Sequence, residues 1–498
     1  MTDIVLHKLD EVHLQVKADM GIKRELAEAL KFRAKNYKFH PKVKNKMWDG
    51  YIKLINGFTG VGYVGLESNI IKFAKESGYS ITPLEKNKIK IPDDFGFTLA
   101  DRYSPNSKFE KRDYQNTAIV ECLRRKRMLL LSPTSSGKSF TIYLIARYLQ
   151  EELGKKILII VPNVGLVNQF ESDLKEYSKN SIDIHKIYSG QEKDRDADYT
   201  ITTWQSVLKM PVSWYQKFDV VFGDEAHGFG AKSLVSIMEK FKKVEYRYGF
   251  TGTLDDEESQ ANPLTIQGLF GEILQVVTTK ELIDDGTLSN FKIECIVLKY
   301  PIEDVKEFSK IMRDKKNKTP PYKKEMDYII SSDKRNNFVT NLATSFKDKN
   351  IIVFVQYIDD HGDILYEKLK DRNTHNVYYI HGSVSGDERE RIRKDMEKSR
   401  GNILLASYGT TSTGVNIVNL DYIIFAHPSK GKIRNLQSIG RVLRRGDNKT
   451  KGKLIDISDD LTVGKKKNFG LNHFEKRLAL YMKEEFEYSI HTVNLKQE

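Results

Sequence analysis

Short runs of aliphatic and β-branched residues alternate with longer amphipathic stretches over most of the 498-residue chain. Apolar runs at 128–131, 157–161, 199–203, 220–222 and 248–251 are separated by segments with helical periodicity. That alternation predicts βαβ units and a mostly parallel sheet covered on both faces. A second series repeats it at 351–355, 377–380, 403–406 and 422–426, so the chain reads as two α/β halves of duplicated architecture. Residues 1 to about 100 follow another pattern, with strand-like 12–16 and 51–55 between helix-like 23–30 and 70–77. They predict a small α+β domain. The turn-rich stretch 101–107, with Pro105 and Asn106, reads as a linker, and the Lys-rich stretch 304–327, with Pro320-Pro321, as a mobile exposed loop. The expected domains are 1–100, 101–290 and 291–460, with a C-terminal helical extension over 461–498.

Composition narrows the class. With 39% hydrophobic residues the chain is too apolar for disorder, and its longest aliphatic runs are too short to cross a bilayer. No secretory signal is visible at the N-terminus. Cys122 and Cys295, the two cysteines, predict buried free thiols in a reducing cytosol rather than a disulfide framework or a zinc site. A cytoplasmic protein is therefore expected. The 81 Lys and Arg against 68 Asp and Glu leave a net charge of +13, and the excess is clustered. Lys31, Arg33, Lys35, Lys38, Lys42, Lys44, Lys46 and Lys53 face only Asp49 within 31–53, and nine basic residues face only Asp447 within 430–453. Such clusters suit a phosphate backbone, whose neutralisation releases counterions. The first is interleaved with Tyr37, Phe39, Trp48 and Tyr51, which favours nucleic acid over a merely solvated face. Trp48 reads either as a stacking or wedge residue or, more readily, as a core tryptophan between two strands.

Two motifs carry chemistry. After the run ending at Leu131 comes Ser132-Pro133-Thr134-Ser135-Ser136-Gly137-Lys138-Ser139 and then a helix-forming run to about Glu152. Strand, tight loop and helix start are the context a P-loop requires. Loop amides can cradle a β-phosphate, Lys138 can reach the β- and γ-phosphates, and the Ser139 hydroxyl can ligate Mg²⁺. Ser132 stands where Gly is usual, a small residue that a strand end should tolerate. The second motif is Asp224-Glu225-Ala226-His227 at the end of the 220–223 run, on the sheet edge where ligands bind. Asp224 is placed to hold Mg²⁺ through water, Glu225 to deprotonate an attacking water, and His227 to couple the site to its surroundings.

These residues resemble the superfamily 2 helicases and translocases, and the likeness continues motif by motif. Phe109 and Arg112-Asp113-Tyr114-Gln115 look like the adenine-contacting segment, with Gln115 as base reader. Pro162 and Asn163 look like motif Ia and Thr203-Trp204-Gln205 like Ib, both of which usually touch strand phosphates. Thr251-Gly252-Thr253 is similar to motif III, which links hydrolysis to strand movement. In the second half Phe354, His381-Gly382 and Arg389 resemble motifs IV and IVa, and 406–416, with Thr411 and Gly414, resembles motif V. Gln437, Arg441 and Arg444 sit in a full match to motif VI, and arginines three apart share one helix face. Presented across a cleft, they would stabilise charge on the γ-phosphate, with Arg444 as the finger and Arg441 as its partner.

The segment Tyr37-Lys38-Phe39-His40-Pro41, with 48–54 and the closing Thr492-Val493-Asn494-Leu495, narrows the resemblance to the UvsW-type helicases of bacteriophages. It implies two tandem RecA-like parallel-sheet domains behind a small α+β domain that binds duplex through Lys42, Lys44, Lys46 and Trp48. It further implies ATP and Mg²⁺ as cofactors and work in recombination, replication and repair within the host cytosol. The implied substrates are branched DNA (Holliday junctions, forks, D-loops) and RNA–DNA hybrid in R-loops. Single-strand-binding and recombination proteins are the candidate protein partners, and no membrane is involved. Three alternatives stay open: a duplex-translocating motor subunit of a restriction system, an RNA helicase of the DEAH type, and a non-catalytic clamp. Intact Lys138, Asp224, Glu225 and Arg444 speak against the clamp.

Overall fold

The computed structural model describes residues 2–34, 36–85, 89–105, 111–254, 262–408, 417, 419–427, 439–440, 442–443 and 451–496. The chain divides into two compact units, 1–277 and 278–498.

The first unit begins with a four-stranded sheet. Ile4–Lys8 and His13–Lys17 form a hairpin, Val61–Tyr63 joins it antiparallel, and Ile81–Thr82 pairs parallel on the other side. Period-two alternation decides the faces: Ile4, Leu6, Leu14 and Val16 point into a core shared with Leu26 of helix Met20–Ala29 and Ile70 of helix Glu67–Glu76. A separate two-stranded ribbon, Lys31–Arg33 against Tyr51–Lys53, carries the loop that holds most of the basic cluster.

The rest of the unit is a seven-stranded, all-parallel sheet. Its spatial order is Ile273–Gln275, Arg127–Leu131, Tyr246–Thr251, Val220–Asp224, Ile157–Val161, Tyr199–Thr203 and Ile184–Ile187. The central strands are buried along their whole length, as expected of strands with helices on both faces. Helix Pro263–Phe270 joins the small domain to this sheet: Tyr63 Oη donates to Glu239 at 2.7 Å, and a Cβ on Gly65 would lie 2.2 Å from the Gln267 carbonyl oxygen.

The second unit is another seven-stranded parallel sheet, ordered Asn376–Ile380, Asn402–Ser407, Ile351–Val355, Tyr422–Phe425, Lys451–Asp460, Asn290–Lys299 and Glu487–Asn494. Two fully buried ion pairs fasten helices to its strand Lys451–Asp460. Arg335 binds Asp459 at 2.7 Å and Arg477 binds Asp456 at 2.8 Å, and the odd spacing of the two aspartates sends them to opposite faces. Two parallel α/β sheets behind a small mixed-sheet domain are the predicted fold class.

Three local expectations are corrected. Of 304–327 only 314–320 is an exposed loop: helix Ile302–Arg313 buries Phe308, and helix Pro321–Ser331 buries Glu325 and Met326. Pro320 and Pro321 sit at the N-cap and first turn of that second helix, where a missing N–H costs nothing. Residues 101–103 end the helix Phe95–Tyr103 rather than starting a linker. Only part of 461–498 is the expected helical extension: after helix Phe469–Lys483 the chain adds the edge strand Glu487–Asn494 beside Asn290–Lys299. Both cysteines are free and buried, as expected.

Candidate nucleotide and nucleic-acid sites

The phosphate loop leaves strand Arg127–Leu131 and enters helix Lys138–Glu151. Ser135 and Gly137 both take left-handed backbone (φ 67° and 81°), which coils the loop tightly. A side chain at 137 would also push against Gln115 Nε2, the movable end of a side chain, so the left-handed backbone is what requires glycine here. Ser132 is more than tolerated: its hydroxyl bonds the Ser136 hydroxyl at 2.6 Å, and Ser136 Oγ donates to the Pro133 carbonyl at 2.7 Å. These bonds brace the loop from inside.

Tyr114 Oη and Gln115 Nε2 both donate to the Ser136 carbonyl, at 3.1 and 3.0 Å, and Arg112 donates to Tyr114 Oη at 2.8 Å. The predicted base-reading segment thus grips the phosphate loop itself, a link that motif spacing alone did not indicate. Lys138 Nζ donates to the Ser132 and Pro133 carbonyls at 3.2 and 3.4 Å, and the Ser139 hydroxyl lies 3.0 Å from that of Tyr177. Tyr177 carries no sequence signal of its own. Phe109 lies outside the described residues.

Strand Val220–Asp224 is two places from the strand that feeds the loop, and both end at the same sheet edge. Asp224 is 6% exposed, and its Oδ1 is buried with no hydrogen-bond partner. Burial, then the Glu225 charge, raise the Asp224 carboxyl to about 7, while Lys138 pulls it down. Lys138 lies close enough to act on this carboxyl, so its buried, orphaned oxygen faces the phosphate loop, and such a hard-oxygen donor fits Mg²⁺. Glu225 takes strained left-handed backbone, φ 51° and ψ 51°.

His227 Nδ1 lies 3.0 Å from Thr251 Oγ1 and 3.3 Å from Glu225 Oε2. Thr251 Oγ1 donates to the Thr253 carbonyl at 2.9 Å, so it accepts from His227, which places the imidazole proton on Nδ1. Thr251 O in turn accepts from Ser132 N at 2.8 Å. From the Glu225 carboxylate, 3.3 Å from the imidazole, contacts therefore run through the His227–Thr251 hydrogen bond to the start of the phosphate loop.

The register Thr203↔Val161 brings 162–163 and 203–205 together at the same edge. Asn163 caps helix Val164–Tyr177 by accepting from Leu166 N at 3.0 Å, Gln205 Nε2 donates to the Pro162 carbonyl at 3.5 Å, and the buried Thr203 bonds Ser206 at 2.8 Å. Trp204 is half-buried against the core. In the second unit His381 Nδ1 bonds Ser383 Oγ at 2.9 Å, and Arg389 Nη2 donates to the carbonyls of His381 and Gly382 at 3.1 and 3.2 Å. Thr411, Gly414, Gln437, Arg441 and Arg444 lie outside the described residues.

In the small domain the basic cluster splits. Lys31 and Lys53 both pair with Glu28, whereas Lys38, Lys42, Lys44 and Lys46 are exposed and have no ion pair among the described residues. Trp48 is neither a core residue between strands nor fully exposed. Half-buried, it donates from Nε1 to the Tyr51 carbonyl at 2.8 Å and meets His40 edge-on.

Three family models match: "DNA helicase UvsW, N-terminal" over 3–83, "Type III restriction enzyme, res subunit" over 108–256, and "Helicase conserved C-terminal domain" over 333–446. The chain is 35% identical to the ATP-dependent DNA helicase uvsW of Enterobacteria phage T4 over 99% of its own length and 100% of that relative's. The crystal structure of T4 UvsW matches at 32% identity and TM-score 0.52, covering 99% of this chain and 100% of that one. A DNA-bound Type ISP restriction-modification enzyme, LlaBIII, matches at TM-score 0.57 and 15% identity, covering 78% of this chain and 32% of its own, a likeness of fold alone.

Proposed function

The chain belongs to the UvsW family of ATP-dependent DNA helicases, and we propose that the DNA it remodels is branched: four-way junctions, forks, D-loops and R-loops. The observation that supports this reading is the small N-terminal domain, which matches the family model over 3–83 and holds on one loop four exposed lysines with no ion pair among the described residues. A motor that tracked plain duplex would have less use for such a loop.

The chemistry follows from the chain's own groups. Amides of the braced 132–137 loop and the Lys138 ammonium receive the β- and γ-phosphates of ATP. Ser139 and Asp224 would hold Mg²⁺, which when bound supplies positive charge to the phosphate oxygens. Glu225 accepts the proton of the attacking water, and its strained backbone aims the carboxylate off the strand end. His227 donates from Nδ1 to Thr251 while the same nitrogen lies 3.3 Å from the Glu225 carboxylate, so a shift at Glu225 reaches motif III through the imidazole. For Gln437, Arg441 and Arg444, which lie outside the described residues, the motif VI likeness supports a role in stabilising the γ-phosphate charge. Pro162, Asn163 and Thr203 to Gln205 line the edge along which a strand would run, and His381 and Gly382 do so on the second unit's sheet.

The test is steady-state ATPase with Mg²⁺ on no nucleic acid, single-stranded DNA, linear duplex, a synthetic four-way junction and structured RNA. Strongest stimulation by the junction, with its ATP-dependent conversion, is expected. Stimulation chiefly by linear duplex without junction processing would instead support the restriction-type translocase reading that the match over 108–256 favours. Stimulation by RNA alone would overturn both.

A further inference from the structure

The loop 34–50 is built as a rigid projection. At its base Ala34 N donates to Gly50 O at 2.8 Å, and the Arg33 guanidinium stacks on the rings of Tyr37 and Tyr51 at 4.8 and 4.9 Å. Gly50 takes φ 81° under the Tyr37 ring, so close that a Cβ would sit 2.5 Å from it. Higher up, the amides of Met47 and Trp48 both donate to Lys42 O, and the His40 and Trp48 rings meet edge-on at 5.1 Å. Among the described residues of the loop, Tyr37, His40 and Trp48 are thereby engaged and one aromatic ring has no such contact.

That one is Phe39, 74% exposed, and Met47 matches it at 74%. Each is the chain neighbour of one ring of that contact, Phe39 of His40 and Met47 of Trp48, so the ring contact brings their backbones together. A loop held this firmly has no need of two large apolar side chains in water, and the exposed Lys38, Lys42, Lys44 and Lys46 lie on the same loop between and beside them in the chain. An apolar tip framed by unpaired cations complements DNA where a base pair has lost its stacking neighbour: phosphates meet the lysines and the open face of the pair meets the apolar groups.

We propose that Phe39 and Met47 form a wedge seated on the base pair at a DNA branch point, with the four lysines holding the flanking phosphates. The proposal rests on the branched-DNA reading and assigns it to residues. Trp48 is the post that supports the tip.

The experiment uses the full chain carrying Phe39→Ala, Met47→Ala or both, with Phe58→Ala as control. Phe58 is 72% exposed in the same domain, on the 56–60 turn away from these lysines. Three quantities are read: 2-aminopurine fluorescence at the pair adjoining the crossover of a four-way junction, the rate of junction conversion, and ATPase stimulated by linear duplex. Wild type and Phe58→Ala are expected to raise the fluorescence on binding. The double variant should lose most of that rise and convert junctions about 10-fold more slowly, on the scale of one lost base-stacking contact. Its linear-duplex ATPase should stay within about twofold. Unchanged fluorescence and conversion in the double variant would overturn the wedge while leaving the branched-DNA reading intact. Equal losses in Phe58→Ala, equal losses on linear duplex, or capture of anionic phospholipid vesicles through these residues in place of junctions would also overturn it. A wild-type enzyme inert on junctions would remove both readings.

Discussion

Replacing Asp224 by Asn should stabilise the N-terminal unit at alkaline pH while abolishing ATP turnover. The carboxyl is 6% exposed with one oxygen orphaned, and burial lifts it from 3.8 to about 7. Three units at 1.36 kcal/mol each set an upper bound of about 4 kcal/mol for holding this carboxylate ionised inside the fold. The sign follows from proton counts. Between about pH 4 and 7 the unfolded chain has released this proton and the folded chain keeps it, so stability falls as pH rises through the window and levels off above the folded value. Asparagine removes that slope. Burying its amide adds a pH-independent cost of about 1–3 kcal/mol, so the change with pH, not the absolute stability, is the diagnostic quantity.

The three tryptophans, Trp48, Trp204 and Trp214, all lie in 1–277, so their fluorescence in a urea titration reports this unit alone. The stability of Asp224→Asn relative to wild type should rise by about 2–4 kcal/mol from pH 5 to pH 8. Saturating Mg²⁺ should narrow the gap, because a cation at the orphaned oxygen relieves the same penalty. A difference that is flat across this range would refute the claim that Asp224 is a strained, buried charge awaiting a cation.

Lys138→Ala should abolish turnover and leave salt-sensitive DNA binding largely intact; persistent turnover in a steady-state assay would remove the P-loop assignment. Reversing Lys42, Lys44 and Lys46 to Glu should weaken duplex binding and flatten the slope of log K against log salt by about 0.9 per lost phosphate contact, and an unchanged slope would make that face a solubilising surface. Arg335→Met, which leaves Asp459 buried and unpaired beside Tyr300, should cost about 3–5 kcal/mol in denaturant titrations of the second unit followed by circular dichroism. Adding Asp459→Leu to that variant should recover most of the loss, and a double variant no better than the single would show that packing rather than charge sets the cost.

What the chain reveals unaided divides along a physical line. Strands buried on both faces must be apolar throughout, so Ile157–Val161 and Ile351–Val355 stand out in the sequence. The phosphate loop and the acidic turn are equally plain, because their chemistry admits few residue types at few spacings. Contacts between distant segments leave no such trace. Residues 304–327 look like a loop because Lys324 and Glu325 read as solvent-facing charges, yet both are buried. Glu325 accepts from Phe469 N at 2.8 Å and Gly470 N at 2.6 Å, capping a helix 144 residues away. The strand Glu487–Asn494 is similarly disguised, since an edge strand with mostly exposed positions need not be hydrophobic.

The same reasoning places Trp48 and Phe39. Composition singles out the tryptophan, the rarer and larger ring, whereas the loop's hydrogen bonds engage its N–H and leave the plain phenylalanine in water. Which ring meets DNA depends on which has its polar and packing partners already, and that is decided by the Tyr51 carbonyl and the His40 ring rather than by residue type. The ATP site shows the complementary case. His227 gains its place in the motif from spacing, but its proton is assigned only by Thr251, whose own hydroxyl is committed to Thr253. Motifs therefore locate the reacting groups, and the partners those groups have already satisfied determine which atoms remain free to act.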